Sequence, residues 1–190
     1  MKGLGENSMG EKFVVIDTET NWHDEVMSIG IVLADDEDFS IIDTKYMVIN
    51  EAAKVGGMFS KMLFLDGQKV ERGRRISVIS ALIAYLNRNE FNSIFAYNAN
   101  FDCRHLPELK NYTWHDIMKK AAYKDHNPIL PKDEVYCSTG RLKSGYGVEN
   151  MLRFFGEKNY SEVHNALEDA IDELRIMRYL EYSVNMYPKL

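Results

Sequence analysis

The sequence predicts an α/β protein with a mixed central sheet flanked by helices. Three observations support this fold class: β-branched segments in the first fifty residues, helical periodicity followed by a further strand-like segment, and an amphipathic segment near the end. The chain has 190 residues, of which 45% are hydrophobic and 27% charged, as is typical of one globular domain. We therefore expect a single domain over residues 13–190, preceded by a disordered, Gly-rich leader over residues 1–12.

The first part of the chain predicts an antiparallel meander. Phe13 to Ile16 is a β-branched run typical of a buried strand. Met27 to Ala34 predicts a second strand, which the acidic turn Asp35–Asp38 ends, and Ile41 to Ile49 predicts a third. Sequential strands joined by short turns usually pair with one another, which predicts a mixed sheet if parallel strands follow.

A helix and a strand follow the meander. Apolar residues recur at helical spacing, and the run Ser93 to Tyr97 then returns to strand character. A helix followed by a strand is typical of a crossover unit, which adds a parallel strand to the sheet. The expected apolar face of this helix comprises Ile76, Ile79, Ile83 and Leu86.

The last part of the chain predicts a long helix that packs on the sheet. Asn165 is a favoured N-cap residue, and Glu168 three residues later completes a capping pattern. The helix would then begin after Asn165, which leaves His164 on the preceding loop and Asp169 one turn inside. Its apolar face comprises Ala166, Leu167, Ala170, Ile171, Leu174 and Met177.

Composition excludes several classes of protein. Two cysteines, Cys103 and Cys137, are too few for a disulfide scaffold or a zinc cluster. No apolar run approaches the roughly 20 residues of a membrane-spanning helix, so we expect a cytoplasmic protein without a membrane partner. The net charge of −6 disfavours coating of long nucleic acid by overall positive charge, although metal ions can supply the attraction at a local site.

Acidic residues follow two of the predicted strands. Asp17 and Glu19 alternate along a strand end, so their side chains point to the same side roughly 7 Å apart. Asp102 follows the strand Ser93–Tyr97, where Asn100 is the expected cap of a helix that Pro107 would keep short. Taken singly, a solvated strand end and a helix-start aspartate explain these residues as well as a functional site does.

Taken together, the acidic residues predict a site for divalent cations. Four converging carboxylates repel one another by about 1 kcal/mol per pair in water and more in a partly dry cleft. Oxygen ligands favour hard ions such as Mg²⁺ or Mn²⁺, and two such ions about 3.5–4 Å apart catalyse phosphodiester hydrolysis. His164 on its loop is suited to act as a general base.

The three segments DTET, NANFD and HNALED resemble the motifs of the DEDDh exonucleases, which include the proofreading epsilon subunit of bacterial replicative polymerases and ribonuclease T. The resemblance implies a ribonuclease H-like fold, two Mg²⁺ or Mn²⁺ ions and the release of nucleoside monophosphates from 3' ends. It implies that Asp17, Glu19, Asp102 and Asp169 bind the metals and that His164 is the general base.

Residues next to these motifs are candidate substrate contacts. Thr18, Thr20 and Asn98 flank the acidic residues. Trp22 follows DTET and is suited either to stack on a terminal base, at about 1–3 kcal/mol per base, or to anchor its loop. The chain has Tyr97 before Asn98, where the family often has histidine.

The leading hypothesis is therefore a metal-dependent 3'–5' exonuclease acting on single-stranded DNA or RNA. Its partners would be a nucleic-acid 3' end and, in a proofreading role, a polymerase. Two alternatives remain: a non-catalytic nucleic-acid or polymerase-binding module of the same fold, and a small-molecule phosphodiesterase. The sequence leaves open the choice between DNA and RNA and the oligomeric state.

Overall fold

A computed structural model describes residues 11–190. Its sheet has six strands: β1 (Lys12–Thr20), β2 (Val26–Asp35), β3 (Ile41–Ile49), β4 (Glu71–Gly73), β5 (Ser93–Ala96) and β6 (Thr113–Asp116). Its helices are α1 (Asn50–Val55), α2 (Arg75–Arg88), α3 (Asn100–His105), α4 (Met118–Ala121), α5 (Val148–Phe154) and α6 (Ala166–Leu180). Short 3-10 turns span Ser60–Met62, Pro107–Leu109 and Val184–Met186. Residues 1–10 of the predicted leader lie outside the described residues, and Lys12 is already the first residue of β1.

The strand order across the sheet is β4-β3-β2-β1-β5-β6. Strands β1, β2 and β3 form the predicted antiparallel meander. Strand β5 pairs in parallel with β1, and β6 pairs in parallel with β5. The predicted mixed sheet is therefore confirmed, with the short parallel strand β4 as an additional edge next to β3.

Helices cover both faces of the sheet, which explains why β2 reads as an almost continuous apolar run. On one face, Val14 and Ile16 belong to a core that includes the buried side of α2. On the other face, Phe13 and Val15 belong to a core that includes the buried side of α6. Strand β1 is thus central, and its carboxyl end lies between the two layers of helices.

Two details of the predicted helices are wrong. Ile76 is 74% exposed because α2 begins at Arg75, and its first turn projects beyond the sheet. The buried face of α2 instead comprises Val78, Ile79, Leu82, Tyr85 and Leu86. Asn100 is the first residue of α3 rather than its cap, and no side chain caps this helix.

The predicted limit at Pro107 is confirmed, since α3 ends at His105 and a 3-10 turn follows from Pro107. Between residues 11 and 190, no helix combines the length and the apolar character that crossing a membrane requires.

Candidate active site

The carboxyl end of β1 carries two acidic side chains on the face that packs against α6. Asp17 and Glu19 follow the buried part of the strand and remain partly exposed. Asp17 lies opposite Gly30 of β2 in the antiparallel register. A Cβ atom at Gly30 would clash with the backbone of Ala166, so the absence of a side chain lets the first turn of α6 approach the sheet beside Asp17.

Asn165 fixes the start of α6, as predicted. Its side-chain oxygen accepts hydrogen bonds from the backbone N–H groups of Leu167 (3.2 Å) and Glu168 (3.4 Å). Its amide nitrogen donates to the carbonyl oxygen of Met62 at 2.7 Å. His164 lies on the preceding loop with a φ of 59°, in the left-handed region. The cap therefore places the imidazole directly in front of the helix N-terminus.

Helix α6 places residues of the HNALED motif beside those of the DTET motif. Single ligand atoms of Glu19, His164 and Asp169 all lie within 4.8 Å of one another. Asp169 is buried, with 5% of its surface exposed, whereas Glu19 and His164 are partly accessible. An accessible imidazole beside two carboxyl groups is suited to accept a proton from a bound water molecule.

Asp102 of the NANFD motif lies near the same residues, on the opposite face of β1. Asp102 lies in the first turn of α3 with 1% of its surface exposed. Thr18 points away from Asp17 and donates its hydroxyl hydrogen to Oδ1 of Asp102 at 2.7 Å. The negative charge of Asp102 contributes to the raised pKa of Asp17, which places the two carboxyl groups within electrostatic reach of each other.

Burial in this cluster raises the pKa of every predicted metal-binding carboxyl group. It raises the pKa of Asp17 well above its usual value, and the surrounding negative charges raise it further. The pKa of Glu19 rises to about 7 and that of Asp102 to about 7, in each case chiefly through burial. Burial and then neighbouring acids raise the pKa of Asp169 to about 9. The cluster thus holds protons near neutral pH when no cation is bound.

The cluster has no cation of its own among the ion pairs of residues 11–190. Oδ1 of Asp169 is buried and has no hydrogen-bond partner in this part of the chain. The donor set consists of carboxylate oxygens with one imidazole nearby, which suits hard divalent ions. The residues therefore fit the Mg²⁺ or Mn²⁺ ions that the resemblance implies.

Two further acidic residues adjoin the cluster and were not predicted. Glu162 raises the pKa of Asp169, and Glu173 raises that of Asp17. Glu173 follows Asp169 by four residues on α6, so the helical repeat alone indicates a shared face. Glu162 lies in an irregular loop, where the sequence carries no comparable signal.

The segment between α1 and β4 forms one wall of the site. A Cβ atom at Gly57 would lie 2.6 Å from the carbonyl oxygen of Thr20, so this segment packs tightly on the end of β1. The ring of Phe59 stacks on that of His164, with centroids 3.8 Å apart and planes inclined by 17°. No sequence pattern indicated this contact, because it joins a loop to another loop more than a hundred residues away.

The predicted substrate contacts lie in different environments. Trp22 is 65% exposed beside the site, and Asn98 is exposed with a φ of 59°. Thr20 is partly exposed at an irregularity in the pairing of β1. Thr18 is buried and its hydroxyl binds Asp102, so its side chain positions an acid instead of facing the cleft. The roles of Thr20, Trp22 and Asn98 stay predictions.

No protein-family model matches the sequence, and no significant match is found among curated proteins. Solved structures do share the fold. The nuclease domain of 3'hExo, a DEDDh family member, bound to rAMP, is 16% identical with a TM-score of 0.65, over 97% of this chain and 98% of that chain. A full-length 3'-exonuclease is 16% identical with a TM-score of 0.60, over 90% of this chain and 81% of that one.

A third structure is described as 3'-end specific recognition of histone mRNA stem-loop by 3'-exonuclease. It is 17% identical, with a TM-score of 0.61 over 90% of this chain and 82% of that chain. The fold of this chain thus occurs in solved nuclease structures. This chain has the ribonuclease H-like fold of the DEDDh exonucleases, as its three motifs predicted.

Proposed function

We propose that this protein is a metal-dependent 3'–5' exonuclease that hydrolyses the terminal phosphodiester bond of single-stranded DNA or RNA and releases nucleoside monophosphates. The observation that carries the proposal is the convergence of residues distant in sequence: ligand atoms of Glu19, His164 and Asp169 lie within 4.8 Å of one another, and Thr18 of the same strand binds Asp102. The shared fold with DEDDh nuclease domains supports the same reaction class.

Asp17, Glu19, Asp102 and Asp169 would hold the divalent ions. When bound, these ions supply positive charge that offsets the charge developing on the phosphate and the leaving oxygen. His164 would accept a proton from the attacking water as its oxygen bonds to phosphorus. The bond from phosphorus to the 3' oxygen then breaks, and the departing oxygen takes a proton from solvent water. This leaves a 3' hydroxyl on the shortened strand and a 5' monophosphate as product.

Other residues of the chain act by holding these groups in place. Thr18 restrains Asp102 through its 2.7 Å hydrogen bond. Asn165 anchors the helix start to the loop at Met62, and Phe59 supports the imidazole ring by stacking. A reacting group that is positioned before the substrate binds loses less freedom in the transition state.

The rim of the site suits a flexible single strand better than a rigid duplex. Exposed apolar side chains surround it, including Trp22 at 65% and Met58 at 70% exposure. Arg72 lies over the exposed ring of Phe64, 4.7 Å from its centroid. Aromatic and apolar surfaces bind bases of any sequence by stacking, and few of these contacts carry sequence information.

The test is digestion of 5'-labelled single-stranded DNA and RNA oligonucleotides with Mg²⁺ or Mn²⁺. We expect a ladder of products that shorten by one nucleotide at a time, with slower digestion of a blunt duplex because its terminal pairs must first separate. Digestion from the 5' end, or cleavage within a circular single strand, would contradict the exonuclease proposal. Hydrolysis of nucleotide esters without any dependence on polymer length would favour a small-molecule phosphodiesterase.

A further inference from the structure

Glu173 is a buried acid that the proposed reaction does not use. It lies in the second turn of α6 with 2% of its surface exposed. One of its carboxylate oxygens, Oε2, is fully buried and has no hydrogen-bond partner among the described residues. A buried polar atom without a partner costs free energy, and the cost is larger when the group is charged.

The position of Glu173 follows from the sheet and the helix. Glu173 follows Asp169 by one helical turn, so both acids lie on the same face of α6. The first turn of this helix approaches the sheet at Gly30, which lies opposite Asp17 in the register of β1 and β2. The charge of Glu173 acts on Asp17 more strongly than that of any other acid. The unpartnered oxygen thus belongs to the carboxylate cluster.

Packing alone does not account for an acid at this position. A glutamine would fill the same space and would add a hydrogen-bond donor without a buried charge. The apolar residues next to it on α6, such as Leu174, show that the surroundings accept uncharged side chains. The carboxylate is therefore useful only if a positive group binds beside it.

We infer that Glu173 is a fifth carboxylate of the cation site, whose Oε2 contributes to the binding of a divalent ion. This inference rests on the proposed function, because it assigns a further residue to the same site. Removing a group that contacts and orients metal ligands typically lowers metal affinity by about 10- to 100-fold. Glu173 would strengthen ion binding at the expense of the stability of the ion-free protein.

The experiment measures Mn²⁺ binding to the full chain by the electron paramagnetic resonance signal of free Mn²⁺, for wild type, Glu173→Gln and Asp172→Asn. Asp172 is the matched control, a buried acid of the same helix that pairs with Arg175 instead of the cluster. We expect Glu173→Gln to weaken Mn²⁺ binding at least about 10-fold, and Asp172→Asn to leave it within about 2-fold. Glu173→Asp, which keeps the charge, should weaken binding less than Glu173→Gln.

Thermal unfolding without metal provides the second measurement. Metal-free Glu173→Gln should melt at a higher temperature than metal-free wild type, because a buried charge is removed, and should gain less from added Mn²⁺. Equal Mn²⁺ affinity in wild type and Glu173→Gln would overturn the inference while leaving the proposed function intact. Failure of wild type to bind Mn²⁺ would overturn both. If Glu173→Gln does not fold, Glu173→Ala takes its place, and unchanged Mn²⁺ affinity in Glu173→Ala would likewise overturn the inference.

Discussion

Helix α6 buries two aspartates that differ in one respect, namely whether the chain supplies a cation. Asp172 is 5% exposed and its Oδ1 lies 2.7 Å from Nη2 of Arg175. Burial raises its pKa to about 6, and the guanidinium limits the rise. Asp169, equally buried one turn earlier, has no ion pair among residues 11–190, and burial with the charges of neighbouring acids raises its pKa to about 9. The same helix therefore contains one acid whose charge is paired with a guanidinium and one whose charge is not paired.

This difference separates a structural acid from a functional one. A buried carboxylate that is paired within the chain needs no further ligand, whereas an unpaired cluster destabilises the ion-free protein. Proteins accept such a cost mainly at sites where function requires it. The comparison between Asp169 and Asp172 thus supports placing the proposed cation site at Asp169 on grounds independent of any related protein.

Removing a carboxylate charge from the unpaired cluster should have the greatest effect on exonuclease activity. Asp17→Asn should reduce exonuclease activity below detection, a greater loss than the about 10²–10⁴-fold that a general base contributes. Initial rates of 3'-end digestion with Mn²⁺ measure the effect. Asp172→Asn removes a charge on the paired side and should keep most of the activity. Similar activity in Asp17→Asn and Asp172→Asn would contradict the proposed difference between the unpaired acids and the paired one.

A smaller loss is expected from the imidazole beside Asp169. His164→Ala should lower the turnover number about 10²–10⁴-fold, because the attacking water loses its proton acceptor. Mn²⁺ affinity should change much less, since the carboxylates remain. His126→Ala, in a loop after α4, is the matched control and should have wild-type rates. A turnover number of His164→Ala within a few-fold of wild type would assign the general base to another group.

The rim of the site should affect substrate binding more than chemistry. Trp22→Ala should raise KM for a single-stranded oligonucleotide by roughly 5- to 150-fold, the equivalent of about 1–3 kcal/mol of stacking, with little change in the turnover number. Met186→Ala is the control, because Met186 is also half exposed but lies in the 3-10 turn near the opposite end of β1. An unchanged KM in Trp22→Ala would leave the loop-anchoring role for this side chain.

The smallest expected effect is a difference between Asp169 and Asp172 in how they make stability depend on pH. The pKa of Asp169 is about 9 in the folded chain and about 3.9 when unfolded, so the folded state binds more protons between these values. The free energy of unfolding of the metal-free protein must therefore fall as pH rises from about 4 to about 9. For Asp172, whose folded pKa is about 6, this fall ends near pH 6.

Melting temperatures of metal-free protein between pH 6 and 8.5 test this difference. We expect wild type and Asp172→Asn to lose at least about 4 °C over this range, which corresponds to roughly 1–2 kcal/mol for a chain of this size. Asp169→Asn should lose less, because the group that titrates highest is absent. A melting temperature that rises with pH in wild type would contradict the assignment of unpaired acids.

The sequence predicted the elements whose signals are local. The meander, the short helix before Pro107 and the capped start of α6 follow from β-branched runs, a proline and Asn165. The buried face of α2 was misassigned, because periodicity alone does not show that Ile76 in the first turn lies beyond the sheet. Intrinsic patterns determine an element, but the packing of its ends depends on neighbours that are distant in sequence.

The same limit applies to the site. The motif acids Asp17 and Asp169 were predicted because strand and helix spacings place them at element ends. The contributions of Glu173 and Phe59 depend on long-range packing. Glu173 comes near Asp17 only because α6 packs on the sheet beside β1, and Phe59 meets His164 only because its loop folds over the end of β1.

The most direct test of the central claim is calorimetric titration of the wild-type chain with Mn²⁺ near pH 7.5, repeated in two buffers of different ionisation enthalpy. Because the carboxyl group of Asp169, with a pKa of about 9, holds a proton at this pH when no ion is bound, ion binding must release protons to the buffer. We predict two Mn²⁺ ions per chain and a heat that differs between the buffers, with both features lost in Asp17→Asn. Absence of Mn²⁺ binding, or binding that Asp17→Asn leaves unchanged, would contradict the claim that this cluster is a catalytic cation site.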